Sequence, residues 1–280
     1  MNKRLLWTLA GLALVLCLMS NVALAEETPN ELPQWHMELK VSPYKPLISE
    51  NTAKQSFYEI MYGESKPMAL SFATHNYVWK GFGLLGVGAK IGYWKTTGKA
   101  QLCTNGQTGD AKQYLPCTPS FVWQKLEDPG TDTASYFEDG NGTTQLAVMP
   151  LSFEIAYRLD YLNRQWGIPF EAYTKLSFDY HLWWATTEGE TAESTRTDEN
   201  GETTTVSGSG GTPGMTASVG LMLNLDWLEP LTAVRARKNG IAGSYLFVEW
   251  NWIKGDGFDQ GKRLDLSSSS VAFGLAMDFI

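Results

Sequence analysis

Eight segments of this 280-residue chain alternate apolar side chains with polar or very small ones. A period of two marks a strand whose two faces meet different surroundings. It suits antiparallel sheet rather than the uniformly apolar strands of parallel sheet. The last segment closes the sequence: Phe273, Leu275, Met277 and Phe279 share one face, and Ala272, Gly274, Ala276 and Asp278 the other. Ile280 follows the final aromatic.

The other seven repeat the pattern. The first sets Trp35, Met37, Leu39 and Val41 against His36, Glu38 and Lys40. The second carries Met68, Leu70 and Phe72, then loses phase near Asn76-Tyr77-Val78, which predicts a bulge. The third sets Leu85, Val87, Ala89, Ile91 and Tyr93 against Gly86, Gly88, Lys90 and Gly92. The fourth sets Phe153, Ile155 and Tyr157 against Glu154, Ala156 and Arg158. The fifth has Phe170, Leu176, Phe178 and Tyr180 opposite Glu171, Lys175, Asp179 and His181. Val219, Leu221 and Leu223 in the sixth oppose polar or small neighbours, and Leu246, Val248, Trp250 and Trp252 in the seventh oppose Tyr245, Phe247, Glu249 and Asn251.

Strand length separates a soluble from a membrane sheet. Soluble strands average about five or six residues, whereas a tilted membrane strand needs about nine to eleven. The third to sixth segments reach the longer figure. Aromatic residues sit near segment ends, at Trp35, Tyr44, Trp79, Tyr93, Trp94, Tyr157, Trp183, Trp184, Trp227, Trp250 and Trp252. Two membrane interfaces would select such girdles. A soluble lipocalin-like barrel with its apolar face inward leaves these long strands unexplained.

The ends of the chain agree with export. Lys3 and Arg4, the apolar run Leu5 to Met19, and Ala23-Leu24-Ala25 form the three parts of a signal peptide. Residues 1–25 are therefore expected to be removed, leaving 26–280 as one barrel. Leu16 before Cys17 does not fit a lipidation site. Removal takes two basic residues and no acidic ones, so 20 Lys and Arg remain against 30 Asp and Glu. A balance of −10 argues against nucleic acid as a partner. The two remaining cysteines, Cys103 and Cys117, read as a disulfide in an exported chain.

The connections alternate in length. Those near residues 45–66, 98–143, 186–213 and 255–264 are mostly long and polar, and those near 81–83, 160–167 and 229–242 mostly short. Together these features predict an eight-stranded antiparallel transmembrane β-barrel of the outer membrane, closed between its first and last strands. Long loops would lie outside and short turns in the periplasm. Lipid surrounds such a barrel, and the barrel assembly machinery inserts it. Phe273, Leu275, Met277 and Phe279 are the expected C-terminal insertion signal.

A family resemblance accompanies this pattern. Trp35-His36-Met37-Glu38-Leu39 with Ser42-Pro43-Tyr44-Lys45-Pro46 resembles the opening of an uncharacterised family of myxobacterial-type outer-membrane β-barrel proteins. Residues Gly83 to Tyr93, Tyr157-Arg158-Leu159-Asp160-Tyr161-Leu162 with Gly167-Ile168-Pro169, and Arg263-Leu264-Asp265-Leu266-Ser267 share the likeness. The resemblance implies fold and location. It carries over no catalytic or binding residue.

The inward face would hold Glu38, Lys40, Lys90, Glu154, Arg158, Glu171, Lys175, Asp179 and Glu249. An eight-stranded interior is just wide enough for side chains to fill, so these charges are expected to form a compensated plug. Inward glycines Gly86, Gly88, Gly92, Gly220 and Gly274 would make room for them. His181 and Asp179 share that face two residues apart, with His75 inward on a neighbouring strand. Residues i and i+2 stand about 7 Å apart, too far for direct acid–base contact. No nucleophile motif or zinc-ligand spacing accompanies them, so neither catalysis nor a metal or cofactor is expected. The acidic stretch 186–213 lacks a calcium-loop motif and reads as a solvated mobile loop, as does Glu127 to Asn141. Pro230 to Asn239 reads as a short basic helix. The role expected is structural or surface-interacting, with a partner met through 98–143 and 186–213. A rim enzyme and a narrow pore are the alternatives.

Overall fold

The computed structural model describes residues 32–48, 57–64, 66–107, 112–115, 136–197, 203–258 and 264–280. The expected signal peptide and Cys117 lie outside them. Eight long strands form one antiparallel sheet: β1 (Trp35–Pro43), β2 (Met68–Lys80), β3 (Leu84–Thr104), β4 (Phe137–Leu159), β5 (Phe170–Thr187), β6 (Ser209–Asn224), β7 (Ile241–Lys254) and β8 (Ser268–Phe279). Each pairs with its sequence neighbours, and β1 pairs with β8 in the register Trp35↔Phe279 to Val41↔Phe273. The sheet thus closes on itself and leaves no open edge. The predicted bulge is present: pairing of β2 with β3 slips between Tyr77 and Trp79.

Side-chain burial follows the alternation but inverts the order of a soluble protein. On β5, Glu171, Tyr173, Lys175, Ser177, Asp179 and His181 are buried, while Phe170, Leu176, Phe178 and Tyr180 are exposed. Leu39, Leu70, Phe153, Leu221, Val248, Phe273 and Leu275 extend the exposed apolar belt around the barrel. Water would penalise so large a continuous patch, whereas lipid tails accept it. Among the described residues no helix is long and apolar enough to cross a membrane. Closed barrels span without one because every backbone polar group is satisfied between strands. The molecule is a transmembrane β-barrel of the outer-membrane type.

The two ends differ. At one, β2 and β3 join directly. Helices α1 (Phe57–Tyr62), α2 (Tyr161–Trp166) and α3 (Pro230–Lys238) lie in three of the connections. The turns holding α2 and α3 share the short-turn end with the β2–β3 turn, and α1 lies at the other end. Helix α2 stops at Gly167, whose φ of 64° is the left-handed conformation that favours glycine. Helix α3 begins with proline in its first turn and carries Arg235, Arg237 and Lys238 in its last, which suits its dipole. Exposed Trp79, Phe82, Trp166 and Trp227 ring this end.

At the long-connection end, strands run well past the belt. Pairing of β2 with β3 stops at Leu70↔Tyr93, yet β3 continues with β4 to Cys103↔Phe137. The connection expected over 98–143 is therefore strand at both its margins. The stretch 186–213 also contains regular structure: Glu193–Thr197 and Thr203–Ser207 pair as a two-stranded hairpin. Backbone pairing is sequence-tolerant, so Thr- and Ser-rich segments take strand form without an apolar face.

Candidate functional site: the closed lumen

The lumen gathers most of the buried charged side chains among the described residues, and it does so in layers. Nearest the short turns, Arg158 Nη2 lies 2.5 Å from Asp278 Oδ2, and Nη1 lies 3.2 Å from Oδ1. Its Nε makes a further ion contact with Glu171 Oε2 at 3.1 Å. Glu171 Oε1 also accepts a 2.7 Å hydrogen bond from Asn163 on α2. The guanidinium sits 5.3 Å from the Tyr77 ring centre and 4.9 Å from that of Tyr245, so cation–π attraction holds it from two sides.

The middle layer is built on Lys175. Its Nζ donates to Glu38 Oε2 at 2.5 Å and to Glu249 Oε2 at 2.7 Å, and Lys40 donates to the other Glu249 oxygen at 2.5 Å. Lys90 pairs with Glu154 at 2.9 Å and reaches Asp179 at 3.9 Å. His36 lies between two carboxylates, with Nδ1 2.7 Å from Asp278 and Nε2 2.9 Å from Glu38. His75 Nε2 lies 3.1 Å from Glu154.

All nine expected lumen charges are therefore brought together: Glu38, Lys40, Lys90, Glu154, Arg158, Glu171, Lys175, Asp179 and Glu249. The sequence reading leaves Asp278 and His36 out of the network, although both stand on the polar face of their strands. It also misassigns the role of two glycines. A β-carbon on Gly220 would sit 2.4 Å from Tyr173 Cζ, and one on Gly274 2.5 Å from Phe247 Cζ. These positions make room for aromatic rings rather than for charged side chains. Those rings in turn lie 4.7 and 5.6 Å from Lys175 Nζ.

Above the charged layers an apolar plug fills the long-connection end. Tyr44, Ile48, Tyr58, Trp94, Leu146, Val148 and Leu266 form one buried cluster. Tyr44 meets Trp94 edge-on at 5.0 Å and donates to the Leu266 carbonyl at 2.6 Å. Burial, with a smaller effect from the Asp265 charge, pushes the Tyr44 hydroxyl above its ordinary range, so it remains a donor. Tyr44 and Trp94 thus do not join the aromatic girdle expected of them. Trp94 follows Lys90 and Gly92 inward.

Beneath the plug lies a cavity of about 70 Å³ lined in part by Lys40, Lys90, Asp179, His181, Thr216 and Asn251. Asp179 accepts from Ser177 at 2.9 Å and from Thr216. His181 Nδ1 lies 3.3 Å from the Thr212 carbonyl, and a carbonyl can only accept, so that nitrogen is a donor. The two side chains are thus engaged with different partners and covered by the plug. Of the residues expected to form the insertion signal, Phe273, Leu275 and Met277 are exposed on the outer face of β8, with Phe279 half-buried at its end. Cys103 is buried near the end of β3. Its expected partner, Cys117, is outside the described residues.

No family model and no curated protein matches the chain. Among solved structures it is similar to Ail, the attachment invasion locus protein of Yersinia pestis, at 6% identity and a TM-score of 0.33, covering 88% of this chain and 95% of that one. It is also similar to the outer membrane protease OmpT from Escherichia coli, at 8% identity and a TM-score of 0.32, covering 88% and 94%. Likenesses this distant transfer no residue role. The assignment to a small outer-membrane barrel stands on the closed sheet, the apolar belt and the charged interior.

Proposed function

We propose that this protein is a non-conducting outer-membrane barrel with a structural or surface-interaction role, exercised by the segments at its long-connection end. The observation that supports this is a lumen closed by side chains: paired charges in its lower layers and an aromatic plug above them, with only a cavity of about 70 Å³ between. A filled interior rigidifies the scaffold and leaves function to what the scaffold displays. In this reading the long connections face outward, and the margins of 98–143 and 186–213 carry the partner-binding surface. Kinship with the myxobacterial-type small barrels belongs to the same proposal.

Planar-bilayer recording of the refolded, full mature chain tests it. Closed bilayers are the expected result. Stable unitary conductance, changed by Lys175→Met or Glu154→Gln, would replace this reading with a pore.

A further inference from the structure

We propose that His36, Glu38 and His75 form a buried site for a divalent transition metal, best suited to zinc, inside the barrel wall. The register of β1 and β2 sets His36 directly opposite His75, with the two ring centres 5.9 Å apart. Glu38 follows His36 by two residues and so shares its inward face. One ligand atom from each residue lies within 4.8 Å of the others. Two histidines and one carboxylate are a common zinc ligand set, and contraction around an ion at about 2.0–2.1 Å needs only side-chain adjustment.

The surroundings fit that role. A metal-binding imidazole usually gives its second nitrogen to a carboxylate, which fixes the ring and raises its basicity. Both histidines here have such a carboxylate: Asp278 at 2.7 Å from His36 Nδ1 and Glu154 at 3.1 Å from His75 Nε2. The nitrogens available to an ion are His75 Nδ1 and His36 Nε2, the latter in a 2.9 Å contact with Glu38 Oε1 that the ion would replace. His75 Nδ1 is buried and has no hydrogen-bond partner among the described residues. A donor atom in that condition costs free energy unless something occupies it.

Charge favours a divalent ion as well. Six carboxylates, Glu38, Glu154, Glu171, Asp179, Glu249 and Asp278, face four cations, Lys40, Lys90, Arg158 and Lys175, in the described lumen. Before the histidines are counted, the layer is short of two positive charges. The exposures of His36, Glu38 and His75 are 3%, 1% and 1%, so the ion enters while the barrel closes and leaves only when it opens. A chelator added afterwards would not remove it.

The test is refolding of the full mature chain into detergent micelles with zinc chloride, followed by a chelator wash and elemental analysis. About one zinc per chain is expected to survive the wash. His75→Gln and Glu38→Gln are expected to lower retention at least about tenfold. His181→Gln, which alters the one histidine outside the cluster, should leave it unchanged. Heat-modifiable gel mobility shows which variants have folded. Refolding the unaltered chain with cobalt chloride needs no substitution, and a ligand set of nitrogen and oxygen should give visible ligand-field bands. Washed wild-type barrel without zinc or without cobalt bands would overturn the proposal. So would equal retention in folded His75→Gln and His181→Gln.

Discussion

Arg158 and Asp278 meet side by side across the lumen, two nitrogens on two oxygens, at 2.5 and 3.2 Å. They lie 120 residues apart in sequence, on β4 and β8. The pair spans the interior from the fourth strand to the last, so it ties the two halves of the chain together. Both groups are buried, Arg158 at 4% and Asp278 at 1% exposure. Asp278→Ala would leave the buried guanidinium with Glu171 as its sole carboxylate contact and is expected to destabilise the folded barrel by up to about 3–5 kcal/mol. The double variant Arg158→Met with Asp278→Leu removes both charges, though Glu171 and His36 then lose a partner. It should recover a large part of that loss. Urea unfolding in micelles, read by tryptophan fluorescence, gives both values. Equal losses in the single and double variants would show that the pair's burden is not the orphaned charge.

Leu221 and Phe153 are 53% and 52% exposed on the outer face. An arginine at either site meets lipid tails and should cost about 2–4 kcal/mol near the midplane, falling towards the interfaces. Measurement belongs in lipid vesicles, because micelles deform around a charge. An arginine tolerated at both sites would mean that this face does not contact hydrocarbon.

Cys103 and Cys117 are expected to be joined in the oxidised protein. The bridge would close a loop of roughly 15 residues and stabilise by about 3 kcal/mol in the chain-entropy model. Most of that effect should restrain the connection between β3 and β4 and leave the barrel's unfolding midpoint little changed. Thiol titration of the oxidised, denatured protein should find neither thiol; two titrating groups would refute the bridge.

Much of this architecture is legible in the sequence because each strand sees two unlike surroundings. Alternation alone assigns Glu38, Lys175 and Glu249 to one interior. It does not give their contacts. Lys175 reaches Glu38 across 137 residues and Glu249 across 74, distances fixed only when the sheet closes in register. Asp278 is readable as inward from its neighbours Ala276 and Gly274, yet its partner Arg158 is not. The plug is harder. Trp94 beside Tyr93 looks like an interfacial pair, and only the continuation of β3 past the belt shows that Trp94 keeps the inward phase. The strand margins at 98–104 and 137–143 are hidden for a related reason. Their pairing satisfies backbone groups, and no lipid face imposes an apolar pattern on them. The candidate metal site escapes a motif search because its ligands sit on two strands. His36 and His75 become neighbours through register, whereas zinc motifs are recognised by spacing along one segment.

The hairpin of Glu193–Thr197 and Thr203–Ser207 offers the cleanest separation of scaffold from display. Its two strands pair with each other in a sheet of their own, separate from the barrel sheet. Its base is already closed, because Gly208 N donates to the Ala192 carbonyl at 2.6 Å, and Ala192 N donates to Ala185 at 3.0 Å. Replacing residues 193–207 with Asn-Gly would therefore join two bonded residues through a turn that suits a hairpin. The barrel sheet keeps all of its own strand pairings, so heat-modifiable mobility and the unfolding midpoint should match the wild type. Surface adhesion or partner binding, measured on whole cells displaying the variant, should fall. If every such measurement is unchanged while His181→Ala or Asp179→Ala abolishes a lipid- or peptide-hydrolysing activity, function lies in the lumen and the display reading is wrong.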